Sequence, residues 1–205
     1  MGEDEATLDK KQAIRRKASA RRNAQPGKDA LSAAIFERIF SLNEYSAAGT
    51  VLFYIDVRSE VRTRPALSSV LALQKRIVVP YCVDDRLALF NLRGLDELEP
   101  AAFGILEPRM PLRELSERRV DPVEIDLVLA PGVAFDRRGG RLGHGLGYYD
   151  RLLQRLRPGA VIVGLAFDCQ LFDEIPMSPH DVFMDLVVTE SAVYEGRRRL
   201  PTPAS

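Results

Sequence analysis

In the segment Arg141 to Asp150, RLGHGLGYYD, glycines stand at 143, 145 and 147, immediately before a run with helical patterning. Glycine lets the backbone take positive φ and removes the side chain that would keep a ligand away. Several amides can then point at one anion, with the positive end of a helix behind them. Arg141 adds a charged fork for a phosphate oxygen. Asp150 falls in the first helical turn and can also hold a cation. The chemistry this pattern suits is binding of a nucleotide or another phosphate. It also suits a plain surface turn, and glycine spacing alone does not separate the two. A P-loop would close on GKS or GKT, whereas Gly147 is followed by two tyrosines, so that loop is excluded. A dinucleotide fingerprint needs GxGxxG directly after a strand, with an acidic residue about 20 positions on. Asp168 lies near that distance, so this competitor stays open. Against it, the spacing is GxGxG, and the excursion Gly132 to Arg141 separates the loop from the preceding strand.

A second source of charge lies near the N-terminus. Lys11, Arg15, Ala18 and Arg22 recur at helical spacing and put three cations on one stripe, with Lys10, Arg16, Lys17 and Arg21 around it. Such a helix is either a solvated or RNA-brushing face, or it turns cations into a site to neutralise phosphates. Both readings fit. Ser178, His180 and Asp181 lie together in SPHD, but neighbours on a chain rarely have triad geometry. A local hydrogen-bonding or capping role suits His180 better. Mg2+ takes one or two carboxylates besides phosphates and water, so Asp150 and Asp181 would suffice for it.

The elements that must position these residues follow from hydrophobic periodicity. Leu8 to Ala24 reads as a helix closed by Gln25-Pro26-Gly27, and Leu31, Ile35, Ile39 and Leu42 mark a second. Strands are expected at Thr50 to Ile55, Arg76 to Tyr81, Leu87 to Leu92, Ile125 to Pro131, Ala160 to Phe167 and Asp185 to Glu190. Helices are expected over Arg64 to Gln74 and after the glycine loop, where Tyr149, Leu152, Leu153 and Leu156 form one stripe. Gly94 to Val123 reads mostly as loop. Short apolar strands alternating with helices predict an α/β fold with a largely parallel central sheet flanked by helices. One domain over residues 1–205 is expected, with flexible ends at 1–7 and 197–205.

Bulk properties narrow the function further. With 29 basic and 29 acidic residues among 205, the net charge is zero, so nothing global draws the chain to nucleic acid or an anionic membrane. Cys82 and Cys169 lie far apart, which excludes a thiolate zinc cluster and a disulfide framework. Two histidines exclude a histidine-rich metal centre. The N-terminus lacks the apolar core of a signal peptide, and the longest apolar run, Ala160 to Phe167, is too short to span a bilayer. A cytoplasmic protein is expected.

Ordered blocks over most of the chain resemble the 5-formyltetrahydrofolate cyclo-ligase family, also called methenyltetrahydrofolate synthetase. They are the K-x-x-x-R of Lys11 to Arg15, SEVRT around Glu60, FGILEP from Phe103 to Pro108, IDLVLAPGVAFDRRGGRLGHGLGYYDR from Ile125 to Arg151, and PHDVFMDLVVTE. The long block is the most specific. The resemblance implies a three-layer α/β domain and an ATP- and Mg2+-dependent closure of 5-formyltetrahydrofolate, with or without a polyglutamate tail. It implies that Lys11 and Arg15 contact ATP phosphates. Arg141, Leu142, Gly143, His144, Gly145, Leu146, Gly147, Tyr148 and Tyr149 would wrap the nucleotide, and His144 to Tyr148 would border the folate. Ile55 and Glu60 would contact its pterin or formyl end. Asp150 and Asp181 would hold Mg2+, and Arg141, Tyr148 and Asp150 would serve the chemistry. Members often carry arginine or another small or basic residue where this chain has His144 and Leu146. A monomer or weak dimer that binds neither nucleic acid nor membrane is expected. The alternatives are another nucleotide- or phosphosugar-binding α/β enzyme, or an RNA-binding protein using the basic helix.

Overall fold

A computed structural model describes residues 5–73, 75–101 and 104–197. Helices α1 (Glu5–Ala24), α2 (Lys28–Phe40) and α3 (Asn43–Ala47) precede strand β1 (Thr50–Leu52). Helix α4 (Arg64–Val70) leads into a hairpin, β2 (Arg76–Val83) and β3 (Arg86–Leu92). Short pieces follow: β4 (Leu98–Pro100), β5 (Leu106–Pro108), α5 (Met110–Arg113) and β6 (Arg119–Val120). Strand β7 (Leu127–Ala130) gives way to a small hairpin, β8 (Ala134–Asp136) and β9 (Arg141–Leu142), before α6 (Tyr148–Leu153). Strands β10 (Val161–Leu165), β11 (Leu171–Phe172), β12 (Leu186–Val188) and β13 (Val193–Glu195) complete the chain.

Eight strands form the main sheet in the order β13-β12-β10-β7-β1-β2-β3-β6. The run from β12 to β2 is parallel, and the strands beyond it on either side are antiparallel. Successive residues of a strand face opposite ways, and each face has its own core. Val51, Leu127, Leu129, Val163 and Leu165 pack with Ile35, Phe36 and Ile39 of α2 and Leu67 and Val70 of α4. Leu52, Val128, Ala130, Ile162 and Val187 pack on the other face with Leu152 and Leu153 of α6 and with Phe135. The expected three-layer α/β arrangement is therefore present. Being covered on both faces is why LVLA and VIVGL read as continuous apolar runs.

Helix α1 lies apart from these layers. Its Ala18 packs with Val133, Ala134, Leu142 and Ile175, on the small sheet β11-β8-β9. The connection from β1 steps to β2 on one side, and the later chain returns to place β7 on the other side. The crevice between β1 and β7 at their C-terminal ends is thus a topological switch point, where open α/β sheets bind ligands.

Several expectations need correction. The strands expected at Thr50 to Ile55, Ile125 to Pro131, Ala160 to Phe167 and Asp185 to Glu190 pair over shorter spans, because the chain peels off into site loops once past the layer. Gly94 to Val123 is not mostly loop: β4 and β5 pair with each other, and β6 joins the sheet edge. The helix after Arg64 ends at Val70, and Gln74 lies outside the described residues. Helix α6 ends at Leu153, short of Leu156. Residues 5–7 belong to α1, while 1–4 and 198–205 lie outside the described residues. Among the described residues no helix is long and apolar enough to cross a membrane.

Candidate active site

The loop leaving β1 is stitched to the start of α4. Buried Asp56 accepts from the amides of Thr63 and Arg64, each at 3.0 Å, and the Thr63 hydroxyl donates to the Tyr54 carbonyl at 2.7 Å. The Tyr54 hydroxyl donates to the Val61 carbonyl at 3.0 Å. Held inside this loop, Glu60 is 7% exposed and accepts from the Val57 amide at 3.1 Å. Burial raises its pKa, against the opposing pull of that amide and of Arg22. Ile55 is buried in the core cluster, so its side chain serves packing more than contact. A cavity of about 540 Å3 opens beside the loop, lined in part by Asp56, Arg58, Arg62, Arg64 and Gly104.

The loop leaving β7 runs through the β8–β9 hairpin. Buried Asp136 accepts from the amides of Arg138 and Gly140 at 2.9 Å and of Ile175 at 2.8 Å. Gly139, at φ 86°, sits where a Cβ would lie 2.5 Å from the Met184 carbonyl oxygen, so no side chain fits there. This hairpin delivers Arg141, which is buried. Its guanidinium pairs with Asp150 at 2.8 Å, donates to the Pro131 carbonyl at 3.3 Å and lies 5.7 Å from the Tyr149 ring centroid. The Leu142 side chain is buried beside Ala18, because β9 turns it into the small core, so what Leu142 offers the loop is its backbone. His144, Gly145 and Leu146 form an exposed crest, and Tyr148 opens α6. With only six residues, α6 adds little dipole, so side-chain cations must supply most of the positive charge.

Helix α1 supplies them. Lys11 is buried, with Nζ 2.8 Å from both Ser178 Oγ and Asp181 Oδ2. Arg15 Nε donates to the Gly143 carbonyl at 2.9 Å, and its guanidinium covers Gly145, which takes φ 99°. Arg22 is buried and bridges Ser59 Oγ at 3.1 Å to the Gly132 carbonyl at 3.2 Å. The stripe therefore turns inward, and Lys10, Arg16, Lys17 and Arg21 face solvent. Ser178, His180 and Asp181 form no triad: Ser178 Oγ accepts from Lys11, and Asp181 caps the Ser178 amide at 2.8 Å. Asp168 accepts from the Ser191 hydroxyl at 2.9 Å, a turn contact and not a ribose-reading position.

Two polar atoms within the site are buried without partners, Arg141 Nε and the Tyr149 hydroxyl. Burial raises the Tyr149 pKa, and the Glu60 carboxylate raises it further, which puts the two side chains within electrostatic reach. Among the described residues no group of three or more histidine, cysteine or carboxylate side chains could hold a metal. The pair Asp150 and Asp181 still suits Mg2+ bound largely by phosphates and water. The Val182 amide donates to Asp150 Oδ1 at 3.4 Å, which ties Asp150 to the residue that follows Asp181. The contacts of Asp150 fall on Oδ1 and those of Asp181 on Oδ2, which leaves the other oxygen of each for a cation.

Sequence reasoning missed Asp56, Thr63, Asp136 and the bridge made by Arg22. A short acceptor ahead of a helix start in SEVRT, and an aspartate before Gly-Gly in FDRRGG, were the available signals.

A largely parallel sheet with a buried carboxylate, an inward-facing cationic helix and a glycine crest at its switch point is the arrangement of an α/β enzyme with its site at the carboxyl ends of the strands. The model of the 5-formyltetrahydrofolate cyclo-ligase family matches residues 7–190. The 5-formyltetrahydrofolate cyclo-ligase of Mycolicibacterium smegmatis is 35% identical over 145 residues, which cover 68% of this chain and 73% of that protein. That of Escherichia coli is 32% identical over 156 residues, covering 72% of this chain and 81% of its own. The solution structure of Aquifex aeolicus 5,10-methenyltetrahydrofolate synthetase matches with a TM-score of 0.80 and 31% identity, covering 95% of this chain and 96% of that one. The chain belongs to the 5-formyltetrahydrofolate cyclo-ligase family.

Proposed function

We propose that this chain closes 5-formyltetrahydrofolate to 5,10-methenyltetrahydrofolate, consuming ATP in the presence of Mg2+ and releasing ADP and phosphate. The observation that carries the reading is the meeting of two half-sites at one switch point. Buried Glu60 and a cavity lined by its loop neighbours Asp56, Val57 and Arg58 lie on the β1 side, and the glycine crest braced by Arg15 lies on the β7 side.

A formamide oxygen is a poor leaving group. The formyl oxygen takes the γ-phosphoryl group as ADP departs. The N-10 amine of the folate then attacks the activated carbon, the carbon–oxygen bond breaks, and phosphate leaves while the amine proton passes to solvent. Such transfer needs positioning and charge neutralisation rather than a protein nucleophile. Lys11, Arg15 and Arg141 are the cations for the phosphates, with the backbone of Gly143 to Gly147 around them. The Glu60 carboxylate accepts from the N–H edge of the pterin, and Tyr148 and Tyr149 border the reacting ends. Among the described residues of the Gly94 to Val123 stretch, Gly104 reaches the cavity. Mg2+ held by Asp150 and Asp181 would lend positive charge to the phosphates.

The inward turn of Lys11, Arg15 and Arg22 favours this reading over RNA binding. The test mixes purified protein, MgATP and 5-formyltetrahydrofolate and follows the ultraviolet absorbance of the methenyl product. Product and folate-dependent ADP are expected together, and the absence of both refutes the proposal.

A further inference from the structure

The glycine crest is pinned at both ends by guanidinium groups that donate to its carbonyls. At one end Arg15 Nε holds the Gly143 carbonyl at 2.9 Å. At the other, Arg151 Nη1 holds the Leu146 carbonyl at 3.0 Å. In a planar trans peptide the carbonyl and the amide that follows it point opposite ways. Fixing those two oxygens therefore fixes the amides of His144 and Gly147. The four amides from His144 to Gly147 donate to no partner among the described residues. Gly147, at φ 67°, leaves the room this needs, since a Cβ there would lie 3.0 Å from Arg151 Nη1.

Arg151 differs from Arg15 in what anchors it. Arg15 reaches in from α1, whereas Arg151 Nη2 donates to the Asp85 carbonyl at 2.7 Å. Asp85 lies in the two-residue turn between β2 and β3, where Val83 pairs with Arg86 and Asp84 takes φ 51°. A two-residue loop is a tight join for antiparallel strands, so its carbonyls move with the sheet. The same guanidinium lies 5.2 Å from the Tyr148 ring centroid, within cation–π range. One exposed side chain thus ties the crest, the ring that opens α6 and the edge of the main sheet together. Its hydrogen bonds go to carbonyls rather than carboxylates, which is the work of a brace and not of a charge partner.

Resting on the cyclo-ligase reading above, we propose that Arg151 is a positioning residue for the transfer step. It uses the β2–β3 turn as a fixed point from which to hold the Leu146–Gly147 peptide and the Tyr148 ring, and it touches neither substrate. Without it each substrate still binds, but the groups that the crest and Tyr148 align drift out of register. Lysine does not replace it, because one ammonium lacks the planar fork that reaches two carbonyls while stacking on a ring.

Arg151→Met is expected to lower kcat about tenfold while the MgATP dissociation constant, measured by calorimetry on the whole protein, stays within about twofold. The melting temperature should barely move, because the side chain is exposed. Arg151→Lys should recover little of the rate. In Arg151→Ala, added ethylguanidinium should restore part of it, and ethylammonium at the same concentration should not. Inserting two glycines between Asp84 and Asp85 displaces the fixed point. That insertion should lower kcat by a similar factor in the wild type and add nothing further to Arg151→Met. An unchanged kcat in Arg151→Met overturns the inference, and so does simple additivity of the two changes. A defect seen chiefly as weaker MgATP binding also overturns it, since Arg151 would then be a direct ligand contact. In each of those cases the wild type still forms the methenyl product and the cyclo-ligase reading stands. A wild type that forms none removes that reading and this inference together.

Discussion

Glu60 is a carboxylate held out of water with the Val57 amide as a donor. Because burial raises its folded-state pKa above the unfolded value, its charge costs stability at neutral pH. That cost disappears once the pH falls below the ordinary carboxylate value of about 4.3, where both states are protonated. Glutamine can still accept from the Val57 amide without carrying a charge. Glu60→Gln is therefore expected to melt higher than the wild type at pH 7 and alongside it near pH 4, as thermal denaturation across that range would measure. A wild type that melts higher at pH 7 would mean the charge is stabilised in ways these contacts do not account for. The same substitution removes a charged acceptor for the pterin edge, worth about 1.5–3 kcal/mol, so the KM for folate should rise at least tenfold. Arg15→Ala should act on the other substrate. Its loss from the crest costs about 3 kcal/mol of phosphate stabilisation, a hundredfold or more in ATP use. Steady-state kinetics with each substrate varied would separate the two, and equal effects on both substrates would undo the assignment.

At the scale of elements, the β8–β9 hairpin is the device that sets Arg141 and the crest at the right height. Its turn depends on Asp136, which serves three amides from two segments. Asp136→Ala strands donors at a cost of about 1–3 kcal/mol for each one left buried. The melting temperature should fall by roughly 5 °C or more, since each kcal/mol is about 2–4 °C at this size. Asp136→Asn keeps an acceptor and should recover part of the loss; calorimetry on the pair would decide. This hairpin was also the part least legible in the sequence. Strands β7 and β10 could be read because both of their faces are covered and their residues are apolar throughout. Strand β9 has two residues and β13 is largely exposed, so neither leaves a hydrophobic period to detect. The stripe Lys11, Arg15, Ala18, Arg22 was legible as a stripe, but which way it faced depended on Ala18 finding Val133 and Leu142 far along the chain. The pairing of Lys11 with Asp181 was hidden for the same reason.

Over the whole molecule, the site exists because the sheet order sends the loops after β1 and β7 apart, which leaves a crevice that neither loop can line alone. Something must then hold the two walls in register, and Arg22 of α1 touches both: Ser59 on the β1 side and Gly132 on the β7 side. It differs in this from Arg15, which donates to the glycine crest, and from Glu60, which is bonded within its own loop. Removing the guanidinium does not strand the Gly132 carbonyl, because Gln170 Nε2 also donates to it at 3.0 Å. Arg22→Met, which keeps most of the buried apolar stem, should therefore cost modest stability, on the order of 1–2 kcal/mol. Its kinetic effect should be broader than that of either wall residue. With the walls free to slide, the γ-phosphate and formyl oxygen lose their near-attack alignment, and a displacement of about 1 Å can cost a hundredfold in rate. The expected signature is a fall in kcat with both substrates saturating, accompanied by comparable rises in both KM values and a melting curve that stays cooperative. A variant whose defect is confined to ATP would place Arg22 on the nucleotide wall alone, and the two halves of the crevice would need another tie.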